Sequence, residues 1–259
     1  MLSYQHIYHA GNLADVHKHA ALAWILSYLV QKDKPLSYFE THAGRGLYDL
    51  GAPEALKTQE AENGYARLNN LGIIPSDHIY AKTLDACTQL HGSHSYPGSP
   101  WVAHHILRPT DRMTLCELHP LEANHLRAVF PKAKIAQNDG FATVLSACPP
   151  TPRRGLVLID PSYEIKTDYD TIPKFISNLN KKWNVGIIAL WYPILGDARH
   201  RTMVRSIRAN HENLVVHEVS FPPAKQGHGM VGSGLAIVNA PFNTGSAMSE
   251  ISGWFAHLT

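Results

Sequence analysis

The apolar run Leu156-Val-Leu-Ile159 leads directly into Asp160-Pro161-Ser162-Tyr163. Four consecutive apolar residues read as a buried parallel strand. Such a strand delivers the next residues to the C-terminal edge of its sheet. Here these are a carboxylate, a rigid proline and an aromatic ring. Together they suit methylation of a planar exocyclic amine, a poor nucleophile because its lone pair is delocalised into the ring. The Asp160 carboxylate and the Pro161 carbonyl can accept its two N–H groups. That holds the nitrogen closer to tetrahedral and aims the lone pair at a methyl donor. Tyr163 can stack on a base drawn out of its helix. An Asp-Pro turn with a packed tyrosine is the competing reading, and the strand before it makes this the weaker one.

Three other strand ends carry weaker signals. Glu40-x-x-x-Gly44-x-Gly46 closes a short strand, Leu36 to Glu40. Glycines there let the backbone approach a ligand closely, and they also suit an ordinary strand–helix turn. Position 49 is Asp, so the third glycine of the dinucleotide fingerprint is absent, which argues against NAD. Glu117, closing Met113-Thr-Leu-Cys-Glu117, can accept both ribose hydroxyls of a nucleoside cofactor or stand as a solvated carboxylate. Asp139-Gly140 can hold an adenine edge or simply make a turn.

These groups need a scaffold, and hydropathy patterning supplies one. Asn12 to Gln31 reads as a helix with Asn12 as N-cap, stopped by Pro35. Residues 51 to 98 hold helical stretches, Ala52–Leu71 and His78–Leu90, and read as an insertion. Strands then alternate with helices: Met113–Leu118, Pro120–Phe130, Ala133–Gln137, Phe141–Ser146, Leu156–Ile159, Tyr169–Asn180, Val185–Trp191 and Asp197–His211. The pattern predicts a parallel α/β sheet with ligands at the strand C-terminal ends. The last strands, Leu214–Phe221 and Leu235–Asn239, have no long helix between them, so they can be antiparallel. The Gly-rich stretch Gly227–Gly234 reads as a mobile flap or a plain connection.

Composition excludes several classes. The chain has 259 residues, a formal charge of +2, 17 His and 3 Cys. Cys87, Cys116 and Cys148 are too scattered for a disulfide scaffold or a C-x-x-C zinc site. No apolar run is long enough to span a bilayer, and the first residues lack a signal-peptide pattern. A reducing cytoplasm is the expected location, with no metal and no membrane. The small net charge means that any nucleic acid must be met by locally concentrated basic residues.

These motifs also carry a resemblance. Asp160-Pro-Ser-Tyr163 resembles the D/N-P-P-Y/F motif of S-adenosylmethionine-dependent amino-methyltransferases, with Ser162 where a second proline is usual. The chain is further similar to the RlmJ family of 23S ribosomal RNA adenine-N6 methyltransferases. That similarity rests on Met1-Leu-Ser-Tyr4, His9-Ala-Gly-Asn12, Lys18-His19, Thr41-His-Ala-Gly44, Tyr96-Pro-Gly-Ser-Pro100, Glu117-Leu-His-Pro120, Lys166-Thr-Asp-Tyr169 and Leu190-Trp-Tyr-Pro193. Tyr-Pro-Gly-Ser-Pro and Thr-His-Ala-Gly are the most specific of these.

The resemblance implies a Rossmann-like class I methyltransferase fold: a mostly parallel seven-stranded sheet with an inserted small helical subdomain. Residues 1–50 and 99–259 would form the methyltransferase domain and 51–98 the insertion. His19, His42, Ser99, Glu117, Asp139, Gly140 and Asp160 would contact S-adenosylmethionine. Asp160, Pro161 and Tyr163 would be catalytic. Tyr4, Lys18, Tyr163 and Lys166 would face the substrate, 23S ribosomal RNA, with the protein acting as a monomer. The same chemistry on DNA adenine or a glutamine amide, or a silent RNA-binding relative, are the alternatives.

His17 and His19 are two apart on a helix and point to different faces, so they cannot chelate one ion. His78, His91, His94 and His257 read as surface residues. Arg201, Arg205 and Arg208 share one face of a helix, either as an RNA-phosphate rail or as a solvated face. Arg45 and Lys166, beside the two active loops, are RNA-contact candidates. Arg153-Arg154 lies at the far edge of the sheet and reads as structural.

Overall fold

Tyr38, Leu156, Leu158, Ile187, Ala189, Leu235 and Ile237 pack in one apolar cluster, and their neighbours Phe39, Val157, Ile159, Ile188, Leu190, Ala236 and Val238 in a second. Successive side chains of a strand point to opposite faces, so these strands are covered on both sides. The computed structural model describes residues 4–223, 229–256 and 258. Met1 to Ser3, Gly227, His228 and His257, singled out in the sequence, lie outside the described residues.

The chain opens with α1 (Leu13–Val30), β1 (Ser37–Glu40) and β2 (Leu47–Asp49). Residues 51 to 98 come next as α2 (Pro53–Thr58), a π turn at Glu62–Ala66, α3 (Arg67–Asn70), α4 (Ile79–His91) and β3 (Ser95–Pro97). Then come α5 (Ser99–Ile106), β4 (Arg112–Cys116), α6 (Pro120–Val129), β5 (Lys134–Ala136), α7 (Gly140–Ala147) and β6 (Gly155–Ile159). The last elements are α8 (Asp168–Lys182), β7 (Ile187–Leu195), α9 (His200–Asn210), β8 (Val215–Ser220), β9 (Met230–Val238) and α10 (Thr244–Phe255).

Among the described residues, seven strands form one sheet in the order β5-β4-β1-β6-β7-β9-β8. The pairings are parallel except those of β9, which is antiparallel to β7 and β8. From β1 the chain steps outward to β4 and β5, then returns to β6 on the other side of β1. The switch point between β1 and β6 is where open α/β sheets bind ligands. Helices α1, α4, α5 and α10 share the first cluster, and α7, α8 and α9 the second.

Helix α1 is buried almost all round, as a helix in the centre of a core must be. Asn12 caps it as expected, its Oδ1 accepting from the Asp15 N–H at 2.9 Å. Asp15, His17, Lys18 and His19 are buried in it as well. Buried polar groups require partners, and those of Asp15, Lys18 and His19 lead to one cavity.

The structure departs from the sequence reading in four places. The helix expected over Ala52–Leu71 is broken: Gln59 takes a φ of 56°, and the Tyr65 N–H turns in to the Gly11 carbonyl at 2.8 Å. β2 and β3 pair antiparallel, Tyr48 opposite Tyr96, and close the base of that segment. Residues 230–234 are strand, not flap. A Cβ on Gly234 would stand 2.1 Å from the Tyr192 ring, so glycine there serves close packing. α10 gives no strong periodic signal, yet it buries Met248, Ile251, Trp254 and Phe255.

Gly140 is held by contact. A Cβ there would stand 1.9 Å from the Thr41 carbonyl oxygen, where the start of α7 meets the end of β1. Gly140→Ala must push α7 off that strand end. A loss of about 1–3 kcal/mol is expected, visible as a thermal midpoint lowered by several degrees. An unchanged midpoint would show that the contact yields freely.

Candidate active site

Asp160 comes directly after β6 and emerges at the switch point. Its Oδ2 accepts from Lys18 Nζ at 2.6 Å, and the same ammonium lies 3.0 Å from Asp15 Oδ1. The Lys18 side chain is only 4% exposed, so this cation does not reach into solvent. Burial alone would push its ammonium down. The carboxylates of Asp160 and Asp15 outweigh burial and hold its pKa above the ordinary lysine value. Burial likewise opposes ionisation of Asp15, yet His6 and Lys18 hold it well below the usual carboxylate range. His6 Nε2 lies 2.8 Å from Asp15 Oδ2, and the Gly11 N–H donates to the same oxygen at 3.0 Å. Asp160 Oδ1 has no hydrogen-bond partner among the described residues, and Asp160 lines a cavity of about 530 Å³.

That cavity is lined by every predicted site residue except Lys166. Tyr4, Lys18, His19, His42, Ser99, Glu117, Asp139, Gly140, Asp160, Pro161 and Tyr163 all reach it from the ends of five strands and from the N-terminal segment. Lys166 is exposed on the loop before α8, outside the lining. A space of this size matches a small-molecule site.

The carboxylates around it already hold the loops. Glu117 Oε2 accepts from the Gly44 N–H at 2.8 Å and Oε1 from the His119 N–H at 2.7 Å. Burial raises its pKa. Asp139 is the N-cap of α7, accepting from the Ala142 N–H at 2.7 Å. Arg45 makes a two-pronged pair with Glu122, at 2.8 and 2.7 Å. That pair ties the Gly44 loop to α6. Ser99, first residue of α5, donates to Glu40 Oε2 at 2.8 Å, and Tyr38 donates to Glu40 Oε1 at 2.5 Å. Glu40 is fully buried, and burial lifts its pKa to about 8.

His19 and His42 are neutral. Burial drives His19 down to about 3 and His42 to about 4. His19 Nδ1 faces the Tyr96 hydroxyl at 3.2 Å, and His42 Nδ1 the Thr41 hydroxyl at 2.8 Å. His17 points elsewhere. Its Nδ1 meets Ser233 Oγ at 2.8 Å and its Nε2 meets His217 Nδ1 at 2.8 Å. The Trp191 indole donates to the same Ser233 oxygen at 2.9 Å, and Lys18 Nζ lies 5.4 Å from the centre of the Trp191 ring.

Tyr163 takes a φ of 57°, a conformation that costs a non-glycine residue about 1–2 kcal/mol. Its hydroxyl donates to the Trp191 carbonyl at 2.8 Å and its ring leans on Tyr169, 4.7 Å between centres. Those contacts hold the turn where Ser162 replaces a proline. Tyr4 stands at the opposite wall, 37% exposed, its hydroxyl 2.8 Å from His6 Nδ1. Asp15 and His6 are among the lining residues given no site role from the sequence. A single buried acid on an otherwise apolar helix, such as Asp15, leaves no periodic trace.

The arrangement can hold a nucleoside-containing cofactor. Glu117 and Asp139 stand just past the ends of the neighbouring strands β4 and β5, and backbone N–H groups of Gly44 and His119 orient the Glu117 carboxylate. The donor and acceptor set suits ribose hydroxyls and an adenine edge, and two carboxylates against one ammonium at Asp160 suit a cationic centre.

A family model described as ribosomal RNA large subunit methyltransferase D, RlmJ, matches residues 33–259. The ribosomal RNA large subunit methyltransferase J of Escherichia coli K12 is 37% identical over 259 residues, covering 98% of this chain and 92% of that protein. The Haemophilus influenzae protein of the same name is 38% identical over 259 residues, covering 97% and 92%. A crystal structure of a Legionella pneumophila protein superposes with a TM-score of 0.86 at 36% identity, covering 96% of this chain and 94% of that one.

Two outcomes test the electrostatics. Lys18→Met takes the ammonium from buried Asp15 and half-buried Asp160, at a cost of about 3–5 kcal/mol. Adding Asp15→Asn should restore part of that loss in urea unfolding; simple additivity of the two changes would show that they do not share one array. For Glu40, the folded pKa near 8 lies above its value of 4.5 in a free chain. Its contribution is present below pH 4.5 and is lost as pH rises through 8. The buried histidines act oppositely, losing stability as pH falls below 6.5. Glu40→Gln should therefore gain in thermal midpoint, relative to the parent protein, between pH 5 and pH 8. An equal difference at both pH values would refute a protonated Glu40.

Proposed function

This chain belongs to the RlmJ family of ribosomal RNA large subunit methyltransferases, and from that premise we propose that Asp160 and Tyr163 position one adenine of 23S ribosomal RNA for methylation at N6. The chain is a methyltransferase dependent on S-adenosylmethionine. The observation that supports this reading of the residues is Asp160. It closes a buried strand at the switch point and lines the cavity, held by Lys18 through one oxygen and leaving the other to accept.

S-adenosylmethionine, when bound, supplies a methyl group on a positively charged sulfur, which makes it electrophilic. The chain supplies position and field. Glu117, Asp139 and Gly140 would hold the nucleoside part, with Ser99, His19 and His42 along the remaining wall. Asp160 Oδ1 and the Pro161 carbonyl would accept the two amine protons, turning the nitrogen lone pair toward the methyl group. Tyr163 would hold the base face. Lys18 acts through Asp160: it fixes the carboxylate and offsets part of its charge.

Positive charge passes from sulfur to nitrogen during transfer, and the Asp160 carboxylate, held by Lys18, stands where it would stabilise that charge. The amine need not lose its proton before attack, because the cationic product nitrogen releases it readily. No helix among the described residues is long and apolar enough to cross a membrane, and a ribosomal substrate supports a cytoplasmic location.

Asp160→Ala should abolish methyl transfer to protein-free 23S RNA, while calorimetry shows S-adenosylmethionine binding within a few-fold of the parent protein. Retained turnover would sink the assignment of Asp160. Tritium from the methyl group should appear in RNA and not in DNA or release-factor protein. Mapping of methylated adenines in ribosomal RNA from cells lacking the gene identifies the target.

A further inference from the structure

Helix α9 carries Arg201, Arg205 and Arg208 along one face, all exposed. Met203 and Ile207, each 1% exposed, are buried on the other side and fix its orientation. Between His200 and Asn210 the helix holds no carboxylate. None of the three arginine side chains makes a hydrogen bond or ion pair among the described residues.

This pattern works against the helix. Arginines four and three residues apart repel one another. Arg199 and Arg201 crowd the N-terminal end, where the macrodipole is already positive. Asp197, 2.6 Å from Arg199, is the one carboxylate paired with an arginine there among the described residues. Neighbouring α8 does the opposite: Asp168 and Asp170 stand in its first turn and Lys181 and Lys182 in its last, as the dipole favours. Arg208, in the last turn, suits the dipole, but a solvated face has no reason to put arginines at the first turn and exclude acids. A face that meets an anion does, because the anion removes both penalties at once.

The position of α9 says which anion. β7 ends at Leu195, which lines the cavity, and Arg199 and Arg201 come four and six residues later. From there the stripe runs outward for about 10 Å, at the helical rise of 1.5 Å per residue. The hydroxyls of Thr202 and Ser206 lie on the same exposed surface, and hydroxyls also donate to phosphate.

We infer that the arginine stripe of α9 is the track for the RNA backbone flanking the target base. This rests on the methyltransfer reading of the cavity. The contacts are to phosphate, so they set affinity and position and carry no sequence preference.

The test compares the full-length protein with R201Q/R205Q/R208Q and with R201E/R205E/R208E, binding a 23S-derived RNA and a scrambled RNA of equal length over a range of salt concentrations. Removing three phosphate contacts should flatten the log–log salt dependence by about 2, at roughly 0.7 per contact for single strands. RNA affinity at low salt should fall about tenfold or more, equally for both RNAs. Binding of S-adenosylmethionine and kcat at saturating RNA should be unchanged. The thermal midpoint of the glutamine variant should be equal or higher, because the repulsion is relieved. Arg112→Gln, at the opposite sheet edge, should leave the slope unchanged.

An unchanged slope in both triple variants, or a loss confined to the 23S-derived RNA, overturns the inference. The glutamine variant keeps the test open should charge reversal unfold the protein. Failure of the unaltered protein to methylate RNA would overturn the reading of the cavity instead. The stripe is judged on binding alone.

Discussion

The ammonium of Lys18 between Asp15 and Asp160 is the interaction on which the site depends. It joins residues 142 apart in sequence and ties the first helix of the chain to the end of β6. Removing two carboxylates and an ammonium from water is expensive. The geometry offsets that cost because the two buried groups have further partners: His6 and the Gly11 N–H for Asp15, and the Trp191 ring for Lys18. Asp160, the more exposed of the two carboxylates, is thereby fixed by Lys18 at the end of β6, on the cavity wall.

The same logic recurs along the strand ends. Glu117 closes the Gly44 loop, Asp139 caps α7, Glu40 anchors Ser99, and Glu122 holds Arg45. For Glu117 and Asp139, a carboxylate that serves the scaffold and one that serves a ligand are the same group, because a carboxylate has about four acceptor sites and the scaffold uses one or two. Loops held in this way need little rearrangement to take up a nucleoside, and this is the physical content of pre-organisation.

Stability is surrendered in a few places. Tyr163 sits at positive φ, α1 buries polar residues in its middle, and α9 stacks like charges at the wrong end of its dipole. Strain of this kind persists where the surroundings over-determine it. For Tyr163 the hydroxyl bond to the Trp191 carbonyl does this, and it also makes up for the proline missing at Ser162. For α1 it is a set of side-chain bonds reaching β9, β8 and α10 through Ser233, His217 and Ser252.

By itself the sequence determined the strand–helix alternation, the buried strand running into Asp160, the cap at Asn12 and the cofactor-facing strand ends. These are local: period-two burial, a cap and a turn are each written within a few residues. Local pattern could not show α10, whose apolar residues matter only once α1 is beside them, nor the strand at 230–234, whose glycines look like a loop until Tyr192 is packed against them. Local pattern also gave no sign that Lys18 would pair with Asp160 and Asp15, or Arg45 with Glu122. Charge pairing across 77 or 142 residues is decided by which strand ends the fold brings together, and no spacing within the chain encodes that.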